Sequence, residues 1–203
     1  MIPHVPDDVW YGNAGQIAKL ARQKAGRPVR MYTDTMGDNA TRLPLVSMLF
    51  PGAPIIYVRR HPLDCCLANY FKSFANLDYA FRQDWLGEKY RDLSETMAVS
   101  RRTISNPMLD VSYEELVTDP GTVTRRVVEF VGLPWDDRFA NPEEPRRVSE
   151  TTSGSWLVHQ PIKNSYAARW KPYEPYLAEL IEALGGMEWV EQEVAATALA
   201  ASQ

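Results

Sequence analysis

Apolar and polar positions alternate along this chain in two distinct rhythms, and together they predict an ordered series of elements. Residues 13 to 24, "NAGQIAKLARQK", place Ile17, Leu20 and Ala21 on one helical face, with Gly26 as the stop. "PVRMYT" (28 to 33) predicts a short strand that Asp34 ends. "NATRLPLVSMLF" predicts a helix signalled by Asn39, with Pro44 falling in its first turn. The β-branched run "IIYV" predicts the strongest strand, set off by the "PGAP" before it. From Pro62 a helix follows, and Leu67, Tyr70, Phe71 and Phe74 at i, i+3, i+4, i+7 predict its core-facing stripe.

Farther on, residues 84 to 103 predict a long helix, much of it solvent-facing, and "MLDVSY" (108 to 113) a second buried strand. "GTVTRRVVEFVG" is a helix stopped by Gly132, with Pro134 just beyond. Residues 134 to 175 are proline-rich and predict mostly loop. "EPYLAELIEALGG" predicts a closing helix. A tail over 187–203, helical or frayed, follows the main α/β domain over 1–186. Strands that alternate with helices predict an α/β fold with a mainly parallel sheet flanked by helices.

Composition narrows the function classes. With 203 residues, 45% of them hydrophobic and 24% charged, the chain supports one domain with a real core. A formal charge of −4 speaks against a general nucleic-acid binder. The only cysteines, Cys65 and Cys66, are neighbours and cannot staple distant segments, which suits a reducing compartment. The start "MIPHVPDDVW" lacks the pattern of a secretion signal, and Pro51, Gly52 and Pro54 break the longest apolar region. The expectation is a cytoplasmic protein without a membrane span or a metal.

Candidate chemistry concentrates in "IIYVRRHPLDCCLANYFKSF" (55 to 74). Ligands of open α/β sheets bind beyond the carboxyl ends of strands, where the next helix offers free N–H groups and a positive dipole end. Arg59 and Arg60 stand at that junction, and a guanidinium can grip a phosphate through two parallel hydrogen bonds. Asp64, Ala68 and Lys72 fall at i, i+4, i+8, which puts Lys72 on the loop side of the predicted helix. The same two arginines would equally suit surface ion pairs.

"RRHPLDCCLANYFKSF" resembles the 3′-phosphate-binding segment of sulfotransferases that use 3′-phosphoadenosine 5′-phosphosulfate (PAPS). "YTDTMGDN" resembles that family's Thr-Asp-Lys-Met-Pro-x-Asn element. "VSYEELVTDP" is similar to its Tyr-Glu-Asp-Leu strand end, and "HQPIKNSYAARWKPYEPYL" to its late Ser-x-x-x-Arg-Trp loop. "LFPGAPIIYVRRHPLD" is close to the run of bacterial members found beside tetratricopeptide repeats. The resemblance implies a sulfotransferase fold of the P-loop nucleotide hydrolase type. It implies transfer of a sulfuryl group from PAPS to a hydroxyl or amine of a small-molecule or peptide acceptor, with adenosine 3′,5′-bisphosphate released. By the same resemblance Arg60 grips the 3′-phosphate, Lys72 adds a second cation, Tyr113 contacts the adenine and Arg169 closes over the nucleotide. Asp64 reads as a helix-start residue and Trp170 as core packing.

The departures from the family pattern fall on chemistry. Ala68 stands where a serine is usual, Thr35 where a lysine is, and Gly37 where a proline is; Leu157 and His159 replace glutamine and arginine. The Gly- and Ser-rich loop that cradles the phosphosulfate has no counterpart before residue 30, as in a sulfotransferase that begins partway in. His159 is the one candidate left for a general base. These departures keep an alternative open, a non-catalytic relative that binds 3′-phosphoadenosine nucleotides weakly or serves as an interaction module. They also leave room for a partner chain or a homo-oligomer.

Overall fold

The computed structural model describes Lys19, Met31 and residues 33–72, 77–139 and 167–201. The helix expected over 13–24, apart from Lys19, and most of the strand expected over 28–33 lie outside the described residues, as do His159 and Phe74. Two compact units divide the chain: residues 1–53 with 93–107, and residues 54–92 with 108–203.

In the first unit a 3₁₀ helix, Gly37–Arg42, leads into α1, Leu43–Leu49. Pro44 sits in the first turn of α1, where its missing N–H costs nothing. Asn39 does not start a helix. The residue preceding the 3₁₀ turn is Met36, whose N–H donates to Asp34 Oδ1 at 3.0 Å. Gly52 takes a left-handed φ of 76° in the turn that follows, and Asn106 Nδ2 donates to the carbonyls of Phe50 and Ala53, each at 2.9 Å. That one amide closes the "PGA" turn.

The second unit holds the chemistry. Strand β1, Ile55–Arg59, pairs in parallel with β2, Met108–Ser112, so that Tyr57 faces Asp110 and Arg59 faces Ser112. Between them run α2, Pro62–Tyr70, the 3₁₀ turn Asp78–Phe81 and α3, Gln83–Thr103, whose residues from Leu93 onward belong to the first unit. After β2 come α4, Tyr113–Thr118, and α5, Pro120–Phe130. The Asp119 side chain accepts from the N–H of Thr122 to start α5, and Gly132, at φ 70°, follows its end. A 3₁₀ segment, Lys171–Tyr176, precedes α6, Ala178–Leu184, and α7 spans Met187–Ala201. The parallel sheet flanked by helices is the fold class that the alternating pattern predicted.

Leu63, Cys66, Leu67, Leu86, Leu180, Leu184 and Val190 form the core. The stripe predicted on α2 differs from the one that packs. Leu67 is buried, but Tyr70 and Phe71 are exposed, and the helix ends at Tyr70. Pro62, Leu63, Asp64 and Cys66 take the inner face instead. The aromatic spacing misled because those rings lie in the final turn, where Phe71 meets Tyr173 edge to face at 5.2 Å on the surface. Gly87 lets α3 pass close to α6: a Cβ there would lie 2.6 Å from that of Ala183. Among the described residues, no helix is long and apolar enough to cross a membrane.

Candidate functional site

Two parallel strands end side by side, and one carboxylate ties the ends together. Ser112 is the N-cap of α4, its Oγ accepting from the N–H of Glu115 at 3.3 Å. The same hydroxyl donates to Glu114 Oε2 at 3.1 Å, and Glu114 Oε1 accepts the backbone N–H of His61 at 3.0 Å. The β1–α2 and β2–α4 turns therefore keep a fixed spacing. From the other side the Tyr90 hydroxyl donates to the carbonyl of Arg60 at 3.1 Å.

The adjacent arginines part company here. Successive strand residues point to opposite faces. Arg59, the last residue of β1, turns inward and donates to Glu193 Oε1 on α7 at 2.5 Å, with Asp110 Oδ1 at 4.0 Å. Its side chain is 11% exposed and that of Glu193 12%, so this is a structural ion pair. Arg60 lies beyond the strand, its guanidinium 4.9 Å above the Tyr113 ring and 4.0 Å from Asp64 Oδ2. One of the two arginines follows the ion-pair reading of the sequence; the other stands at the strand end with a tyrosine beneath it.

Asp64 does far more than begin a helix. It is 1% exposed, and its carboxylate accepts the N–H of Ala168 at 2.6 Å and of Trp170 at 2.9 Å. These bonds dock the late loop onto the start of α2, with Arg169 between the two donors. Trp170 is buried as core, and its indole also stacks on His61 at 5.1 Å and 18°. His61 Nδ1 is buried and makes no hydrogen bond. Burial lowers the imidazole below its ordinary pKa, although the Asp64 and Glu114 carboxylates pull the other way. A ring so placed is neutral at neutral pH and serves packing.

Arg60, Tyr113 and the backbone of Arg169 are thus gathered around one strand end. Lys72 follows the last turn of α2 as an exposed residue, so a helical face does not carry it toward the loop as the i, i+4, i+8 spacing predicted. Glu114 and Asp64 were missed as organisers because an acid in the first turn of a helix reads as a dipole partner. Asp64 sits two places past a proline at the helix start and is followed by an apolar run, and only the tertiary fold reveals its long-range partners.

Comparison with known proteins gives consistent results. A model described as the sulfotransferase family matches residues 4–137. A protein of Aquifex aeolicus (strain VF5), named only as uncharacterized, is 30% identical over 155 residues, 74% of this chain and 20% of its own length. The sulfotransferase domain from the Synechococcus PCC 7002 olefin synthase is similar in fold, with a TM-score of 0.66 and 22% identity over 89% of this chain and 63% of that one. The chain spans about a fifth of the curated relative and under two thirds of the solved chain.

Proposed function

Because this chain belongs to the sulfotransferase family, we propose that it transfers a sulfuryl group from PAPS to a hydroxyl or amine acceptor. The observation that carries the proposal is the Arg60 guanidinium at the end of a parallel strand, 4.9 Å above Tyr113 and beside the docked loop that bears Arg169. These groups suit the 3′-phosphoadenosine half of the donor: a cation for the 3′-phosphate, a phenol ring for the adenine and a second cation on a loop. When bound, the donor supplies the activated sulfuryl group. The protein's share is to hold the nucleotide, neutralise its charge and align the acceptor.

Arg169 adds the second cation in this reading, and His159 is the proposed base. We further place the chain nearest the bacterial members found beside tetratricopeptide repeats, on its "LFPGAPIIYVRRHPLD" run. The phosphosulfate cradle, for which the sequence before residue 30 offers no Gly- and Ser-rich loop, falls in this reading to another segment or subunit. A second reading, a nucleotide-binding relative without turnover, is favoured by Ala68, an exposed residue of α2 with no hydroxyl to offer a phosphate.

Incubation with sulfur-labelled PAPS and a panel of phenols, alcohols and amines tests the first reading. Label transfer above an Arg60→Ala control supports it, and its absence across the panel refutes it. Calorimetry with adenosine 3′,5′-bisphosphate then separates the two readings: binding without turnover leaves the second alone standing.

A further inference from the structure

We propose that Asp64 is a positioning residue, whose carboxylate pins the backbone on both sides of Arg169 and so holds that guanidinium at the nucleotide site. The inference rests on the nucleotide-binding reading above and names a device within it. Asp64 belongs to α2, yet it is bound 104 and 106 residues away, to the N–H groups of Ala168 and Trp170. Both bonds are charge-assisted, the one to Trp170 buried and the one to Ala168 part-buried, the class of hydrogen bond that fixes geometry most firmly. Ala168 is the one non-glycine residue with positive φ among those described, at 57°. A left-handed alanine is strained, so the surroundings must enforce it, and the 2.6 Å bond from its own N–H is the contact positioned to do so.

The loop is fixed through its ring as well as its backbone. Trp170 stacks on His61, next to Arg60 in sequence, while Asp64 Oδ2 lies 4.0 Å from the Arg60 guanidinium. One carboxylate therefore references both cations to the same helix turn. Arg169 itself is an exposed residue, on a main chain that these two bonds hold in place.

The test is a double-mutant cycle read as the Kd of adenosine 3′,5′-bisphosphate. Asp64→Asn keeps the shape but loses the charge and one acceptor. Ala168→Pro removes a donor and the left-handed φ from the exposed side, and keeps the experiment decisive if the buried substitution unfolds the chain. Each weakens binding about tenfold in the parent, the value of a misplaced charged contact; in an Arg169→Ala background Ala168→Pro costs less than about twofold, and Asp64→Asn keeps only the smaller part that runs through Arg60. Thermal unfolding confirms that each variant is folded. Equal losses in both backgrounds, or no loss in either, overturn the positioning role while leaving nucleotide binding intact. A parent protein that binds no nucleotide overturns the functional reading and this inference together.

Discussion

Replacing Arg59 and Arg60 one at a time by alanine should give opposite phenotypes. Arg59→Ala takes from Glu193, 12% exposed, the guanidinium at 2.5 Å, and from Asp110, whose side chain is 2% exposed, the cation 4.0 Å away. Removing one partner of a buried pair costs about 3–5 kcal/mol, or roughly 6–20 °C in the unfolding midpoint of a chain this size. Arg60→Ala leaves Asp64 satisfied by two N–H groups. The loss includes the contact over Tyr113 and a long ion pair, together about 1 kcal/mol. For the nucleotide the order reverses. Arg60→Ala gives up a charged hydrogen bond worth about 1.5–3 kcal/mol, a roughly 10- to 150-fold rise in Kd. Calorimetric titration with adenosine 3′,5′-bisphosphate and a thermal melt of each variant measure both effects. An Arg60 variant that melts far below an Arg59 variant, or an Arg59 variant that stays stable while losing affinity, refutes the division of labour.

Gly87→Ala should destabilise by about 1–3 kcal/mol despite the better helix propensity of alanine, because the new methyl meets Ala183 and the Leu180 carbonyl; urea unfolding shows it, and an Ala183→Gly partner restores part. His61 has a folded pKa lowered from 6.5, so the unfolded chain binds its proton first. The stability this gives is present above pH 6.5 and lost as pH falls through the folded pKa. Melts from pH 8 to pH 5 should fall less steeply in His61→Phe, which keeps the stack on Trp170, and equal slopes would dismiss the assignment. Burial pushes both Cys65 and Cys66 thiols up, so iodoacetamide at pH 7.5 should label them at least about tenfold faster in denaturant than in the native protein, as mass spectrometry would count.

Much of the second unit was legible because its signals are local. The β-branched "IIYV", the proline after the strand, and Gly132 past α5 each act within a few residues and need no knowledge of the rest. The family motif likewise singled out Arg60, the arginine that the fold leaves at the strand end. Hidden were the partners decided by distant chain. Asp64 reads as a helix-start residue until the loop at 168–170 arrives, and Arg59 reads as Arg60's twin until α7 brings Glu193. The apolar spacing of Tyr70 and Phe71 is genuine, but spacing says which residues share a face and nothing of where the helix stops. Lys72 was misplaced on α2 for the same reason.

The countercharge for Arg59 has a consequence for synthesis. A ribosome delivers the guanidinium 134 residues before the glutamate that neutralises it. Until α7 leaves the exit tunnel, the guanidinium on this strand pair lacks the glutamate that meets it in the fold. Completion of this half of the molecule is therefore tied to the emergence of α7, and loop closure over such a span sets a slow clock. A nascent chain stalled before residue 193 should be far more open to proteases than one stalled after it.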